Sequence, residues 1–141
     1  MIFLDTSLLL RRYWREGPVG VPEAVLAVGG RPVAVSDLVR VEMASAVARR
    51  VRQGAMLPSE GREILASFRA QFPGFLRVPL DGPVLDRAEA LTGRTALRSL
   101  DALQLASALE VADSSPAGAF RFGSADARLN AAAKAEGLEI L

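Results

Sequence analysis

Apolar and polar positions along this chain form two kinds of segment. Short apolar runs bounded by glycine, proline or charged residues are typical of buried strands, whereas apolar residues repeated at spacings of three and four are typical of helices. The short runs predict five strands, at Ile2 to Asp5, Pro32 to Ser36, Phe75 to Val78, Ala119 to Gly123 and Leu138 to Leu141. Strands that alternate with helices predict a parallel sheet covered on both faces.

The segments between these strands predict helices. They run from Thr6 to Glu16, Pro22 to Val28, Asp37 to Arg52, Ser59 to Phe72, Pro83 to Leu91, Ser99 to Ala112 and Ala125 to Glu136. In the third helix the spacing of Val41, Ala44, Ala48 and Val51 predicts the buried face. The helix from Ser99 is apolar almost all round, which predicts a central, buried position.

The length of 141 residues, half of them apolar, predicts a single domain spanning residues 1–141, without an internal repeat or linker. No apolar stretch is long enough to cross a bilayer, and the first residues lack the features of a signal peptide. We therefore expect a cytoplasmic protein with no membrane partner.

Two residue types are missing from the composition. The chain has no histidine and no cysteine, which excludes a Ser-His-Asp triad, a thiolate nucleophile and the usual zinc sites. The net charge is +1, and every basic residue except Lys134 is arginine. Arginine suits phosphate recognition, so a local nucleic-acid surface remains open, although a codon bias explains the same composition.

Four acidic residues occupy positions where α/β proteins often place their chemistry: Asp5, Glu42, Asp101 and Asp126. In open parallel sheets, ligands bind beyond the carboxyl ends of the strands. Asp5 ends the first predicted strand and Asp126 follows the fourth, while Glu42 and Asp101 lie early in predicted helices. Taken singly, each acid has an ordinary explanation as a helix cap, a first-turn acid or a surface charge.

Together, four converging carboxylates would repel one another, by about 4 kcal/mol for two charges about 4 Å apart at an effective dielectric of about 20. A bound cation would neutralise this repulsion, and oxygen ligands select hard cations such as Mg²⁺ or Mn²⁺. Such an ion can activate water for phosphodiester hydrolysis without histidine. Phosphate-loop and dinucleotide-binding fingerprints are both missing from the sequence.

Three stretches, together with Glu42, carry a family resemblance. Met1 to Ser7, Leu97 to Ala106 and Phe122 to Leu129 resemble PIN-domain ribonucleases, and within that family the VapC-type toxins. The resemblance implies a three-layer α/β/α fold with a five-stranded parallel sheet. It also implies Mg²⁺- or Mn²⁺-dependent endonucleolytic cleavage of RNA, a homodimer, and inhibition by a cognate antitoxin protein.

The resemblance also assigns roles by position. Asp5, Glu42, Asp101 and Asp126 would be catalytic; the metal would be held by the three aspartates, with Glu42 contributing directly or through water. Thr6, beside the first acid, and Ser124, where some members carry another acid, would be supporting groups. Gln104 stands where a histidine is common in the family.

Other functions remain open at this stage. A haloacid-dehalogenase-like phosphatase also begins with a strand ending in Asp, but Ser7 stands where that family needs a second Asp. A catalytically silent PIN-like binding module is the non-enzymatic alternative. Large apolar residues in the first and fourth predicted helices exceed what one small core uses, which predicts an exposed groove for the antitoxin. They are Leu8, Leu9, Trp14, Leu65, Phe68 and Phe72.

Overall fold

The computed structural model describes residues 1–13 and 30–141. Its strands are β1 (Ile2–Leu4), β2 (Val33–Ser36), β3 (Leu76–Val78) and β4 (Arg121–Gly123). Its helices are α1 (Thr6–Tyr13), α2 (Val39–Arg52), α3 (Pro58–Gln71), α4 (Gly82–Arg94), α5 (Ser99–Asp113) and α6 (Ala127–Ala135), with one 3₁₀ turn at Phe72–Gly74. The helix predicted from Pro22 to Val28, and the end of the one predicted from Thr6 to Glu16, lie outside the described residues.

The described strands form one sheet in the order β3-β2-β1-β4, and every neighbouring pair is parallel. β1 lies in the middle, with Phe3 paired to Ala34 on one side and to Phe122 on the other. The rings of Phe3 and Phe122 stack with their centroids 5.9 Å apart. Because all strands run the same way, the segments that follow them all leave from one edge of the sheet.

The fifth predicted strand is a correction. Of Leu138 to Leu141, only Ile140 pairs with the sheet, in a single parallel bridge to Phe122. The amide of Phe122 donates to the carbonyl of Glu139 at 2.8 Å, and the amide of Leu141 donates to the carbonyl of Phe122 at 2.9 Å. The segment aligns with β4 over one residue only, although β1 pairs with β4 over three. The described sheet therefore has four strands.

Each face of the sheet carries its own hydrophobic core, because successive side chains of a strand point to opposite faces. Phe3 packs with residues of α4, α5 and α6, including Leu91, Leu105 and Leu129. Ile2 and Leu4 pack on the other face with residues of α1, α2 and α3, including Leu9, Met43 and Phe68. This arrangement is the predicted three-layer α/β/α architecture. The central burial predicted for α5 is also confirmed, since eight of its residues are buried.

The buried face of α2 differs from the one predicted. Val39, Met43 and Val47 are buried, whereas Val41 is 68% exposed. Both stripes have helical spacing, and the one that carries the long Met43 side chain reaches the sheet. The rotation of the helix is set by this tertiary packing, which periodicity cannot distinguish from a neighbouring stripe.

The described residues that were predicted to line the antitoxin groove belong to the core instead. Leu8, Leu9, Phe68 and Phe72 are buried in the core beneath α1, α2 and α3, and Leu65 packs against it. Trp14 lies outside the described residues. These apolar side chains form the core on the Ile2 and Leu4 face of the sheet, because a sheet covered on both faces needs two cores. Among the described helices, none has the length and apolar character needed to cross a membrane.

Two leucines on α5 provide a matched test of this packing. Leu105 is fully buried and Leu100 is 50% exposed. We expect Leu105→Ala to lower the free energy of unfolding by about 2–5 kcal/mol, through lost burial and the cavity that remains. Leu100→Ala should change it by less than about 0.5 kcal/mol. Urea denaturation of both variants measures the difference, and equal losses would contradict the orientation of α5.

Candidate functional site

Two of the four acids follow strands at one edge of the sheet, and the other two lie in the first turns of helices. Asp5 directly follows β1, and Asp126 is the N-cap of α6, three residues after β4. Glu42 lies in the first turn of α2 and Asp101 in the first turn of α5. Their charges interact: those of Asp5 and Asp101 act on Glu42, and those of Asp126 and Asp5 act on Asp101. The fold therefore brings the four predicted site residues within electrostatic range of one another.

Asp5 is 6% exposed, and its hydrogen bonds converge on one oxygen. Oδ2 accepts from the hydroxyl of Ser7 at 2.5 Å, from the hydroxyl of Ser124 at 2.7 Å and from the amide of Ser7 at 3.3 Å. In the described chain, no hydrogen bond reaches Oδ1. One oxygen of this buried carboxylate is thus held by the protein, and the other remains available to a ligand.

Ser124 is itself held in place. The side chain of Asn130 accepts from its amide at 3.1 Å and donates to its carbonyl at 2.9 Å. The hydroxyl of Ser7 lies 3.2 Å from that of Ser124 and accepts from the amide of Ala125 at 2.9 Å. Ser7 and Asn130 were missed as site residues. Ser7 could have been found from its place two residues after Asp5, the spacing of an Asx turn, whereas the sequence offers no signal for Asn130.

Glu42 takes part in a second network. The hydroxyl of Thr6 donates to Oε2 of Glu42, and Nε2 of Gln104 donates to the same oxygen at 2.6 Å. Nε2 of Gln104 also donates to the hydroxyl of Thr6 at 2.9 Å. Thr6, predicted as a supporting polar group beside the first acid, donates its hydroxyl hydrogen bond to Glu42. Gln104 is 1% exposed.

The pKa values of the acids shift in both directions. Burial raises the pKa of Glu42, against hydrogen bonds from Thr6 and Gln104 that lower it, and the nearby charges of Asp5 and Asp101 raise it further. Burial also raises the pKa of Asp101, reinforced by Asp126 and Asp5 and opposed by Arg128. The pKa of Asp126 is lowered, chiefly by a hydrogen bond from the backbone amide of Arg128.

Asp126 also caps a helix, which is the ordinary structural role that the sequence left open for it. Its Oδ1 accepts from the amide of Arg128 at 2.7 Å and from that of Leu129 at 3.4 Å, in the first turn of α6. Its Oδ2 lies 3.5 Å from the guanidinium of Arg128. Since capping occupies Oδ1, Oδ2 is the oxygen that could turn to a ligand, in competition with Arg128.

The donor chemistry of this site fits a hard divalent cation. The four side chains offer only oxygen, and their mutual repulsion is of the kind that a cation relieves. Within residues 1–13 and 30–141, however, no three acids are close enough together to form a preassembled metal site.

Comparison with known proteins places the chain in a family context. The model of the PIN domain matches residues 2–135. Curated protein sequences give no significant match.

Solved structures give three informative similarities. FitAcB from Neisseria gonorrhoeae is 18% identical, with a TM-score of 0.68 over 100% of this chain and 96% of that chain. VapBC2 from Rickettsia felis, bound to a DNA fragment from their promoter, is 12% identical, with a TM-score of 0.67 over 100% and 98%. A toxin–antitoxin complex from Klebsiella pneumoniae is 17% identical, with a TM-score of 0.61 over 89% and 87%. At these identities the likeness shows a shared fold.

The raised pKa of Glu42 predicts how pH acts on stability. A carboxyl whose pKa is higher in the folded state binds its proton more tightly there, so stability is lost as pH rises from the ordinary value through the raised one. In Glu42→Gln, the side chain at position 42 is uncharged at every pH. We expect this variant to gain stability relative to the native chain between about pH 4 and about pH 7.

Urea denaturation in EDTA, at both pH values, measures this difference. Glu89→Gln, which removes a carboxylate from an exposed position on α4, serves as the control. The same stability difference between Glu42→Gln and the native chain at both pH values would contradict the raised pKa.

Proposed function

The chain belongs to the PIN-domain family, and from that premise we propose that it is a metal-dependent endoribonuclease, the toxin of a toxin–antitoxin pair. The observation that carries the proposal is the set of four acids, oxygen donors only, on one edge of the sheet of a PIN domain. The similar solved structures support the toxin role, because they include a toxin–antitoxin complex.

In this proposal Asp5, Asp101 and Asp126 hold Mg²⁺ or Mn²⁺, and Glu42 contributes directly or through water. A bound ion of this kind would polarise a phosphate oxygen and activate a water molecule for attack. Asp5 presents Oδ1, because the hydroxyls of Ser7 and Ser124 occupy Oδ2. These hydroxyl donors fix the orientation of the carboxylate, which is what a ligand residue needs from its supporting groups.

Three exposed arginines support RNA binding in this proposal. Arg40 lies two residues before Glu42, Arg98 immediately precedes α5, and Arg128 lies in the first turn of α6. Each is therefore on the segment of one of the acids. Arginine binds phosphate through a planar fork of donors, so these side chains could hold the backbone of a nucleic acid beside the acids. Because the net charge of the chain is only +1, the attraction for a nucleic acid would come from these side chains and not from the overall charge of the protein.

The proposed partners are a cognate antitoxin and a second copy of the chain in a homodimer. Two exposed apolar side chains, Val41 and Leu100, adjoin Glu42 and Asp101 in the chain. A partner that covers the acids would bury these side chains as well. The toxin role would be supported by a short, adjacent upstream gene that encodes a DNA-binding fold with a helical tail. Without such a gene, the chain would be a stand-alone PIN nuclease.

Metal binding is tested by thermal unfolding. Mn²⁺ or Mg²⁺ should stabilise the native chain by mass action, by about 2.7 kcal/mol at a concentration of about 100 times Kd. Asp5→Asn should remain folded without metal, because it removes a repelling charge, and should gain much less from metal. Asp86→Asn, an exposed acid on α4, is the matched control and should respond like the native chain. Equal metal-induced shifts for Asp5→Asn and Asp86→Asn would remove Asp5 from the ligand set.

Cleavage is tested on total RNA with Mn²⁺, with and without EDTA. We expect metal-dependent cleavage that Asp101→Asn abolishes. Asp126→Asn and Asp126→Ala separate two roles: both remove the charge, but only Ala removes the cap acceptor, at a cost of about 1 kcal/mol in unfolding free energy. Both should therefore lose cleavage, while only Asp126→Ala loses stability.

Three results would contradict parts of this proposal. Full cleavage by Asp126→Asn would leave Asp126 as a cap alone. A folded, metal-loaded protein that hydrolyses phosphomonoesters but not RNA would be a phosphatase. One that does neither would be a silent binding module.

A further inference from the structure

The side chain of Gln104 has an unusual environment for a residue in the core of the protein. It projects from α5 one turn beyond Asp101 and is 1% exposed, and its Oε1 has no hydrogen-bond partner among the described residues. A buried carbonyl without a partner destabilises a fold, and an apolar side chain of similar size would avoid that cost. Packing alone therefore does not account for an amide at this position.

The N–H groups of the amide do account for it. Nε2 donates to Oε2 of Glu42 at 2.6 Å and to the hydroxyl of Thr6 at 2.9 Å. The reverse orientation of the amide would place its oxygen against a carboxylate, so only this orientation is favourable. By accepting from Gln104, the hydroxyl of Thr6 is turned so that its own hydrogen points at Glu42. Gln104 thus supports Glu42 both directly and through Thr6.

The hydrogen bonds from Gln104 and Thr6 oppose the electrostatic repulsion of Glu42 by neighbouring acids. The charges of Asp5 and Asp101 both act on Glu42, which lies near the start of α2 and is only partly buried. A glutamate has three rotatable side-chain bonds, and without fixed donors its carboxylate would turn away from the other acids toward water. Both donors use Oε2, which leaves Oε1 facing no donor in the described part of the chain.

We infer that Gln104 is a positioning residue: its amide clamps Glu42 onto Thr6, so that the carboxylate stays beside the other acids with Oε1 free for a ligand. The kinetic consequence of this inference rests on the proposed nuclease function, whereas the position of Glu42 does not.

The test compares three variants by crystallography and kinetics. Gln104→Leu keeps the volume and removes the donors. Gln104→His restores a ring N–H at a similar distance from the backbone. Ser107→Ala is the control, because Ser107 is also fully buried on α5 and hydrogen-bonded, but to Ser36 and to the carbonyl of Leu103.

In crystals of Gln104→Leu we expect the carboxylate of Glu42 to have left the hydroxyl of Thr6, and in Gln104→His to have returned to it. In RNA cleavage, Gln104→Leu should lower kcat by about 10–100-fold, the usual effect of removing a group that orients a ligand residue, with KM unchanged. Gln104→His should recover much of this loss. Ser107→Ala should lose thermal stability with kcat unchanged.

The inference is overturned if Glu42 keeps its position in Gln104→Leu, or if Ser107→Ala loses as much kcat as Gln104→Leu at an equal loss of stability. If the native chain cleaves no RNA, the proposed function fails on its own, and the position of Glu42 in the two Gln104 variants still decides this inference.

Discussion

Repulsion between carboxylates is the constraint on which this structure depends. Parallel strands deliver the segments that follow them to one edge of the sheet, where Asp5 follows β1 and Asp126 follows β4. The first turns of α2 and α5 add Glu42 and Asp101. Burial and mutual repulsion raise the pKa values of Glu42 and Asp101, so holding these side chains there as carboxylates lowers the stability of the fold. Hydrogen-bond donors hold Asp5, Glu42 and Asp126 one by one against this repulsion.

The donors that fix the carboxylates follow a common pattern. Asp5 is held through Oδ2 by serine hydroxyls, Glu42 through Oε2 by Thr6 and Gln104, and Asp126 through Oδ1 by the backbone of α6. For Asp5 and Glu42 the donors gather on one oxygen, which restrains the carboxylate without using all of its acceptor sites. The second oxygen of Asp126 also lies 3.5 Å from the guanidinium of Arg128. A capping role therefore does not exclude Asp126 as a ligand, because the cap uses only Oδ1.

The two cores make this arrangement rigid. β1 contributes Phe3 to one core and Leu4 to the other, so the residue that follows, Asp5, leaves a strand packed on both faces. α5 is buried along most of its length and presents Gln104 toward Glu42 across the edge of the sheet. A carboxylate on a loop free to move would relax away from its neighbours. Here the backbone of each acid is tied to a strand or to a helix start.

The sequence by itself determined the alternation of strands and helices, the buried character of α5 and the positions of the four acids at element ends, because these depend on local patterns of apolar and turn residues. Only the tertiary structure decided the rest. Packing against the sheet set Met43, not Val41, on the inner face of α2, and the fifth predicted strand is reduced to one bridge at Ile140. The tertiary structure also brings Gln104 into hydrogen-bonding contact with Glu42, 62 residues away in the chain. Such contacts are set by the distances and rotations between elements, which no local pattern encodes.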